Sequence, residues 1–195
     1  MDRGTAGTPI ERKPVSELDN NALIIRLLYT VNHLSRWLSP VHDESRLQRS
    51  PVRDERSPKD IVVAFRDDEL AVFPKVHAIA VQNRPNLDRL PPVFRSEADQ
   101  AWDRQAATFE VMGEFRRLRQ STGSLLRSLP DAAWQRDGLS RQEHDWTIRA
   151  LAEHLANNDV RLLAELDQAL ERSGARENIA DVSRTRLPEL LRLAP

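Results

Sequence analysis

The chain of 195 residues contains no cysteine. That absence excludes a disulfide framework, a thiolate nucleophile and any zinc or iron–sulfur site built on cysteine. Glycine is scarce, at six residues. No Gly-rich phosphate loop, G-x-S-x-G elbow or H-E-x-x-H pair occurs, so the phosphate-cradling, serine-hydrolase and zincin chemistries have no residues to rest on. Neither sign of charge dominates: 29 Lys and Arg face 30 Asp and Glu, for a net charge of −1. A nucleic-acid binder would carry a basic field, and no such partner is expected. There is no run of eighteen apolar residues, and the opening MDRGTAGTPIERKPVSE lacks the apolar stretch of a signal peptide. The sequence therefore reads as soluble and cytoplasmic, with no membrane partner. It has no internal repeat and no low-complexity segment.

What is present is helical periodicity. With 39% hydrophobic and 30% charged residues, the composition suits a helical protein with a charged surface. The clearest stretch is Thr147 to Leu170. There Ile148, Leu151, Ala152, Leu155, Leu162, Leu163, Leu166, Ala169 and Leu170 recur at steps of three and four, which makes one apolar helix face. Asn158 and Asp159 interrupt it. Asp159 lies four residues from both Leu155 and Leu163, so it points into or along the packed face and needs a donor or a cation. His154, at the edge of that face, reads as a packed or solvated residue.

Three further helices precede this one. Ser16-x-x-Asp19 gives a capping signal, followed by a stripe from Leu23 to Leu38 that ends at Pro40. The charged segment 40–57 reads as an exposed connection with at most a helical turn. Ser57-Pro58-Lys59-Asp60 is a strong helix start. Ile61, Phe65, Val72, Val76 and Ile79 then mark a buried face, and Pro74 is expected to kink the helix. Asp68 also falls on that face, either as a functional carboxylate or as partner to a neighbouring arginine. Ser96-x-x-Asp99 opens a third helix that runs to Leu129, with Gly113 and Gly123 inside it and Pro130 as its stop. Arg116, Arg117, Arg119 and Arg127 give it a basic, solvated surface that pairs with acids. Trp134 is expected to cover one bundle end, and Asp145 or Thr147 to cap the last helix. Four helices without a strand pattern make an all-α four-helix bundle over residues 16–173. A loose tail (1–15) precedes it. An extension (174–195) follows, whose Leu187, Leu190, Leu191 and Leu193 could dock on the bundle or on another subunit.

Two stretches carry a family resemblance. SPKDIVVAFRDDE at 57–69 resembles the second-helix signature S-P-x-E-[IV]-[LV]-x-H-x-x-D-x-E of the DinB/YfiT-like superfamily. FRRLRQSTGSLLRSLPDAAWQRDG and WTIRALAEHLANNDVRLLAEL resemble its third-helix end, loop and fourth helix, so the likeness spans roughly residues 16–170. It implies a four-helix bundle holding a divalent metal, commonly zinc or nickel, on three histidines. One comes from the second helix and two from an H-x-x-x-H on the fourth. Residues four apart share a helix face, so two imidazoles can share an ion while a third closes the site from across the bundle. Active members resemble thiol transferases acting with mycothiol or bacillithiol, and maleylpyruvate isomerases.

The ligand positions fall here on Ala64, Asn158 and Leu162, while Asp67, Glu69 and Asp159 match the surrounding acids. Alanine and leucine cannot bind a metal, and an amide alone is a poor ligand for zinc or nickel. The expectation is a bundle without metal or other cofactor and without catalysis, serving binding, assembly or small-molecule sensing. Its candidate pocket comprises Ala64, Asp67, Asp68, His154, Asn158, Asp159 and Leu162. The alternative is a divalent-metal enzyme of the thiol-transferase or maleylpyruvate isomerase class, using a rearranged site made from Asp68, His154, Asn158 and Asp159. The resemblance also implies pairing as a homodimer.

Overall fold

Each long helix begins where a side chain satisfies its first backbone N–H groups. The computed structural model describes residues 13–53, 55–93, 95–177, 179–180 and 184–191. In it the helices are α1 (Asn20–Leu38), α2 (Glu44–Gln48), α3 (Pro58–Val81), α4 (Glu97–Gln105), α5 (Thr108–Ser128), α6 (Ile148–Arg172) and α7 (Leu187–Leu191). At α3 the Ser57 hydroxyl accepts from the Asp60 N–H at 3.1 Å, and the Asp60 carboxylate accepts from the Ser57 N–H at 3.0 Å. This reciprocal box is the one the sequence indicated. Thr147 caps α6 by accepting from the Ala150 N–H at 3.0 Å. At α1 the capping residue is Asp19, which accepts from Ala22 at 2.7 Å. Ser16 instead lies in a short 3-10 turn.

The helix expected from Ser96 to Leu129 is two helices. Ala106 and Ala107 are extended between α4 and α5, and distant groups hold the break. The Glu44 carboxylate of α2 accepts from the Thr108 N–H at 2.8 Å and from its hydroxyl at 2.7 Å. The Lys59 ammonium of α3 donates to the carbonyls of Arg104 and Ala106. Pro74 sits inside α3 without ending it. A two-residue antiparallel pair, Asp137–Gly138 with Trp146–Thr147, pins the loop before α6. It is too short for an alternating pattern to reveal.

The helices form a ring in which α3 packs on α5 and α6, and α1 packs on the same two. α5 and α6 thus face each other across one diagonal, and α1 and α3 across the other. The core is in two halves. One gathers Leu23, Leu27, Val76, Ile79, Trp134 and Leu155. The other gathers Leu34, Trp37, Phe65, Phe115, Leu162 and Leu166. Trp134 is buried at the end of the first half. The described part of the C-terminal extension docks on its own bundle: Leu187 packs on the second half, and the Trp37 indole donates to the Thr185 carbonyl at 2.8 Å. Leu193 lies outside the described residues. No helix among the described residues is long and apolar enough to cross a membrane.

Candidate functional site

Between the two apolar halves lies a charged layer to which all four long helices contribute. Its centre is Arg119 of α5, 1% exposed. The spacing explains the burial. Phe115, Arg119, Thr122 and Leu126 are separated by four, three and four, and all four are buried. Arg119 therefore replaces an apolar residue on the inner face, while Arg116 and Arg117 beside it are exposed. The expectation of a solvated Arg119 is corrected here. α3 repeats the logic: Ile61, Phe65, Glu69, Val72 and Val76 are buried, so the acid on the inner face is Glu69. Asp68, expected there, is turned to the rim with its side chain 18% exposed.

All three nitrogens of the guanidinium are engaged. Nε donates to Glu69 Oε2 at 2.6 Å, Nη1 to Asp159 Oδ2 at 2.6 Å and to the Leu27 carbonyl at 2.9 Å, and Nη2 to Asp159 Oδ1 at 3.0 Å. The Thr30 hydroxyl of α1 donates to Asp159 Oδ2 at 2.7 Å, and the Thr122 hydroxyl of α5 donates to Glu69 Oε1. The Arg119 guanidinium also lies 4.9 Å from the centre of the Phe115 ring. Complete desolvation pulls the Arg119 pKa down, but the charges and hydrogen bonds of Asp159 and Glu69 outweigh it and hold the pKa above the ordinary arginine value. Two carboxylates stand against one guanidinium, with two hydroxyls meeting the surplus negative charge. Such a layer is closed, since every carboxylate oxygen in it has a donor.

The remaining candidate residues separate. On the rim between α3 and α6, Asp68 Oδ1 lies 3.3 Å from His154 Nε2, and Asp68 Oδ2 accepts from the Asn158 amide at 2.7 Å. The Asn158 carbonyl oxygen in turn accepts from Arg161 at 2.6 and 3.0 Å. The Trp146 ring meets the His154 ring edge-on at 5.6 Å and lies tilted by 40° against His144 at 4.0 Å. Asp67 faces elsewhere and pairs with Arg66 at 2.8 Å. Leu162 is fully buried in the core, and Ala64 packs against the same cluster. Asp159 belongs to the closed layer. The seven candidates thus form a rim triad, one layer carboxylate, one outlying ion pair and two packing residues. Among the described residues no three or more His, Asp or Glu side chains are grouped as a metal-holding set.

The sequence does not show the layer as a unit, although Glu69 matches an acid of the resembled pattern and Asp159 interrupts an apolar helix face. The available signal was the coincidence of inner-face phase at Glu69, Arg119 and Asp159, each flanked by leucine, valine or phenylalanine at three or four residues.

Comparison with solved structures places the bundle. The chain superposes with a TM-score of 0.65 on a structure described as "YfiT from Bacillus subtilis is a probable metal-dependent hydrolase with an unusual four-helix bundle topology". The match covers 85% of this chain and 96% of that one, at 16% sequence identity. The two share the fold. No protein-family profile matches the chain, and no curated protein matches it.

Proposed function

We propose that this chain is a DinB/YfiT-like bundle that works without the three-histidine metal site, as a binding or assembly module rather than a metalloenzyme. The observation that carries this reading is the closure of the mid-bundle layer by Arg119, which takes up both Asp159 and Glu69. A divalent ion needs free lone pairs from several donors. At the three positions the resemblance assigns to ligands, Ala64 offers a methyl group, Leu162 a buried hydrocarbon, and Asn158 an amide engaged at both ends. These groups do not fit the ion. A fixed cation supplied by the chain itself, with two hydroxyl donors, instead engages both carboxylates.

A second reading, a divalent-metal enzyme with a displaced site, draws on the rim contact of Asp68, His154 and Asn158 and on the description of YfiT as a probable metal-dependent hydrolase. One titration separates the two. Zinc and nickel are added to protein purified without chelator or histidine tag, with bound metal and melting temperature as readouts. The first reading expects neither stoichiometric metal nor a shift in melting temperature. Stoichiometric binding that is lost in Asp68→Ala or His154→Ala overturns it in favour of the second. Pairing as a homodimer belongs to the same proposal, and sedimentation of the full chain tests it.

A further inference from the structure

A cleft of about 270 Å³ opens on the opposite wall of α3 from the rim triad, between α3, α5 and the segment entering α4. Leu70 and Leu118 give it apolar walls, and Arg66, Arg95, Arg117 and Glu114 line it, with Asp67 and Asp103 paired to Arg66 and Asp103 also to Arg95. The Glu114 carboxylate is already engaged by Arg66 Nη1 at 3.1 Å. Arg66 is itself buried and fixed by Asp103 through both terminal nitrogens, at 2.5 and 2.9 Å, so it is a rigid part of the wall.

Two donors remain unsatisfied. The Arg95 guanidinium meets Asp103 through Nη2 alone, at 2.7 Å to each oxygen, and its buried Nε–H has no acceptor among the described residues. Buried N–H groups in native proteins almost always have partners, so one without any calls for an explanation. Arg117, exposed on α5, has no carboxylate within ion-pair distance among the described residues. Planar guanidinium forks match carboxylates by paired hydrogen bonds. The volume lies just below the usual range for drug-sized ligands, which suits a small molecule.

We propose that this cleft binds a small amphiphilic carboxylate, with the apolar tail on Leu70 and Leu118 and the carboxylate on Arg117 and Arg95. The inference does not depend on whether the bundle interior holds a metal. The test is a titration of octanoate into the full chain, followed by backbone amide NMR, with n-octanol as the uncharged control. Saturable shifts confined to the residues around Leu70 and Leu118 are expected. Arg117→Ala should weaken binding by about tenfold or more, the loss of one charge-assisted contact. Arg95→Gln should weaken it as well. Arg117 holds no ion pair among the described residues, so its replacement leaves the fold intact and keeps the test decisive even if Arg95→Gln disturbs the loop. Failure to saturate, shifts centred on another surface, equal binding of octanol, or wild-type affinity in Arg117→Ala would each overturn the proposal.

Discussion

Arg119 holds Asp159 across the diagonal of the bundle through both terminal nitrogens, at 2.6 and 3.0 Å. Its third nitrogen holds Glu69 on the adjacent helix α3. α5 and α6 lie across a diagonal of the ring rather than side by side, so this contact adds a polar link to the apolar cluster that Phe115 and Leu162 share. Sliding α5 by one turn would strand both buried carboxylates, and sliding α6 would strand Asp159. Breaking a buried ion pair from one side is far costlier than replacing it whole.

Arg119→Met should therefore destabilise the protein by about 3–5 kcal/mol in urea unfolding. Combining Glu69→Leu, Arg119→Met and Asp159→Leu should recover that loss, and such replacements have added about 1–4 kcal/mol elsewhere. Wild-type stability in the single variant would show that the layer does not hold the bundle together.

The candidate residues should divide in their energetics. Leu162→Ala removes a fully buried side chain from the core and should cost about 2–5 kcal/mol. His154, with its side chain 44% exposed, 3.3 Å from Asp68 and edge-on to the Trp146 ring, should cost within about 1 kcal/mol when changed to alanine. Similar losses in the two variants would contradict this division into core and rim.

Acid should weaken the fold through Asp103. Its desolvation raises the carboxyl pKa, but hydrogen bonds and charges from Arg66 and Arg95 outweigh that and leave it below the ordinary 3.8. A carboxyl lowered in the folded state contributes stability that is complete above its unfolded pKa and is lost as pH falls through the folded value. Glu143, held by hydrogen bonds from Lys75 and Trp146, shifts in the same direction from 4.5. Melting temperatures followed from about pH 5 to pH 2 should fall less steeply in Asp103→Asn than in the wild type. An unchanged slope would remove Asp103 from the acid transition.

Two glycines should respond oppositely to alanine. A Cβ on Gly138 would lie 2.8 Å from Leu87 Cδ2 and 2.9 Å from Ile79 Cγ1, an overpacked contact that should cost about 1–3 kcal/mol. A Cβ on Gly113, inside α5, would meet nothing closer than Arg117 Nη1 at 3.8 Å. There the gain in helix propensity should stabilise by about 0.5–1 kcal/mol. Chemical denaturation of both variants checks the pair.

The long helices were legible because periodicity and caps are local properties. Ser57 with Asp60, and the leucines from Leu151 to Leu170, show them without any partner. The break at Ala106 was not legible, because Glu44 and Lys59 reach it from helices distant in sequence. Arg119 was hidden differently. It sits in a run with Arg116 and Arg117 that reads as surface, and only its phase relative to Phe115 and Leu126 sets it apart. Asp159 was recognised as a carboxylate needing a partner, but a sequence alone does not name the cation that answers it. Asp68 and Glu69 are neighbours, and an error of one residue in helix phase exchanges rim for interior.

Lys59, 5% exposed and with its ammonium committed to two backbone carbonyls, also governs how the protein responds to amine-directed reagents. The chain has only two other lysines, Lys13 and Lys75. Lys75 is drawn to Glu143 at 2.7 Å, and Lys13 is exposed ahead of the first helix. Acylating dyes and crosslinkers should therefore mark the N-terminal approach first and spare the joint between α4 and α5 for as long as that joint stays closed. Modification at Lys59 then becomes a clock for local opening of the bundle, readable by mass spectrometry without any engineered label.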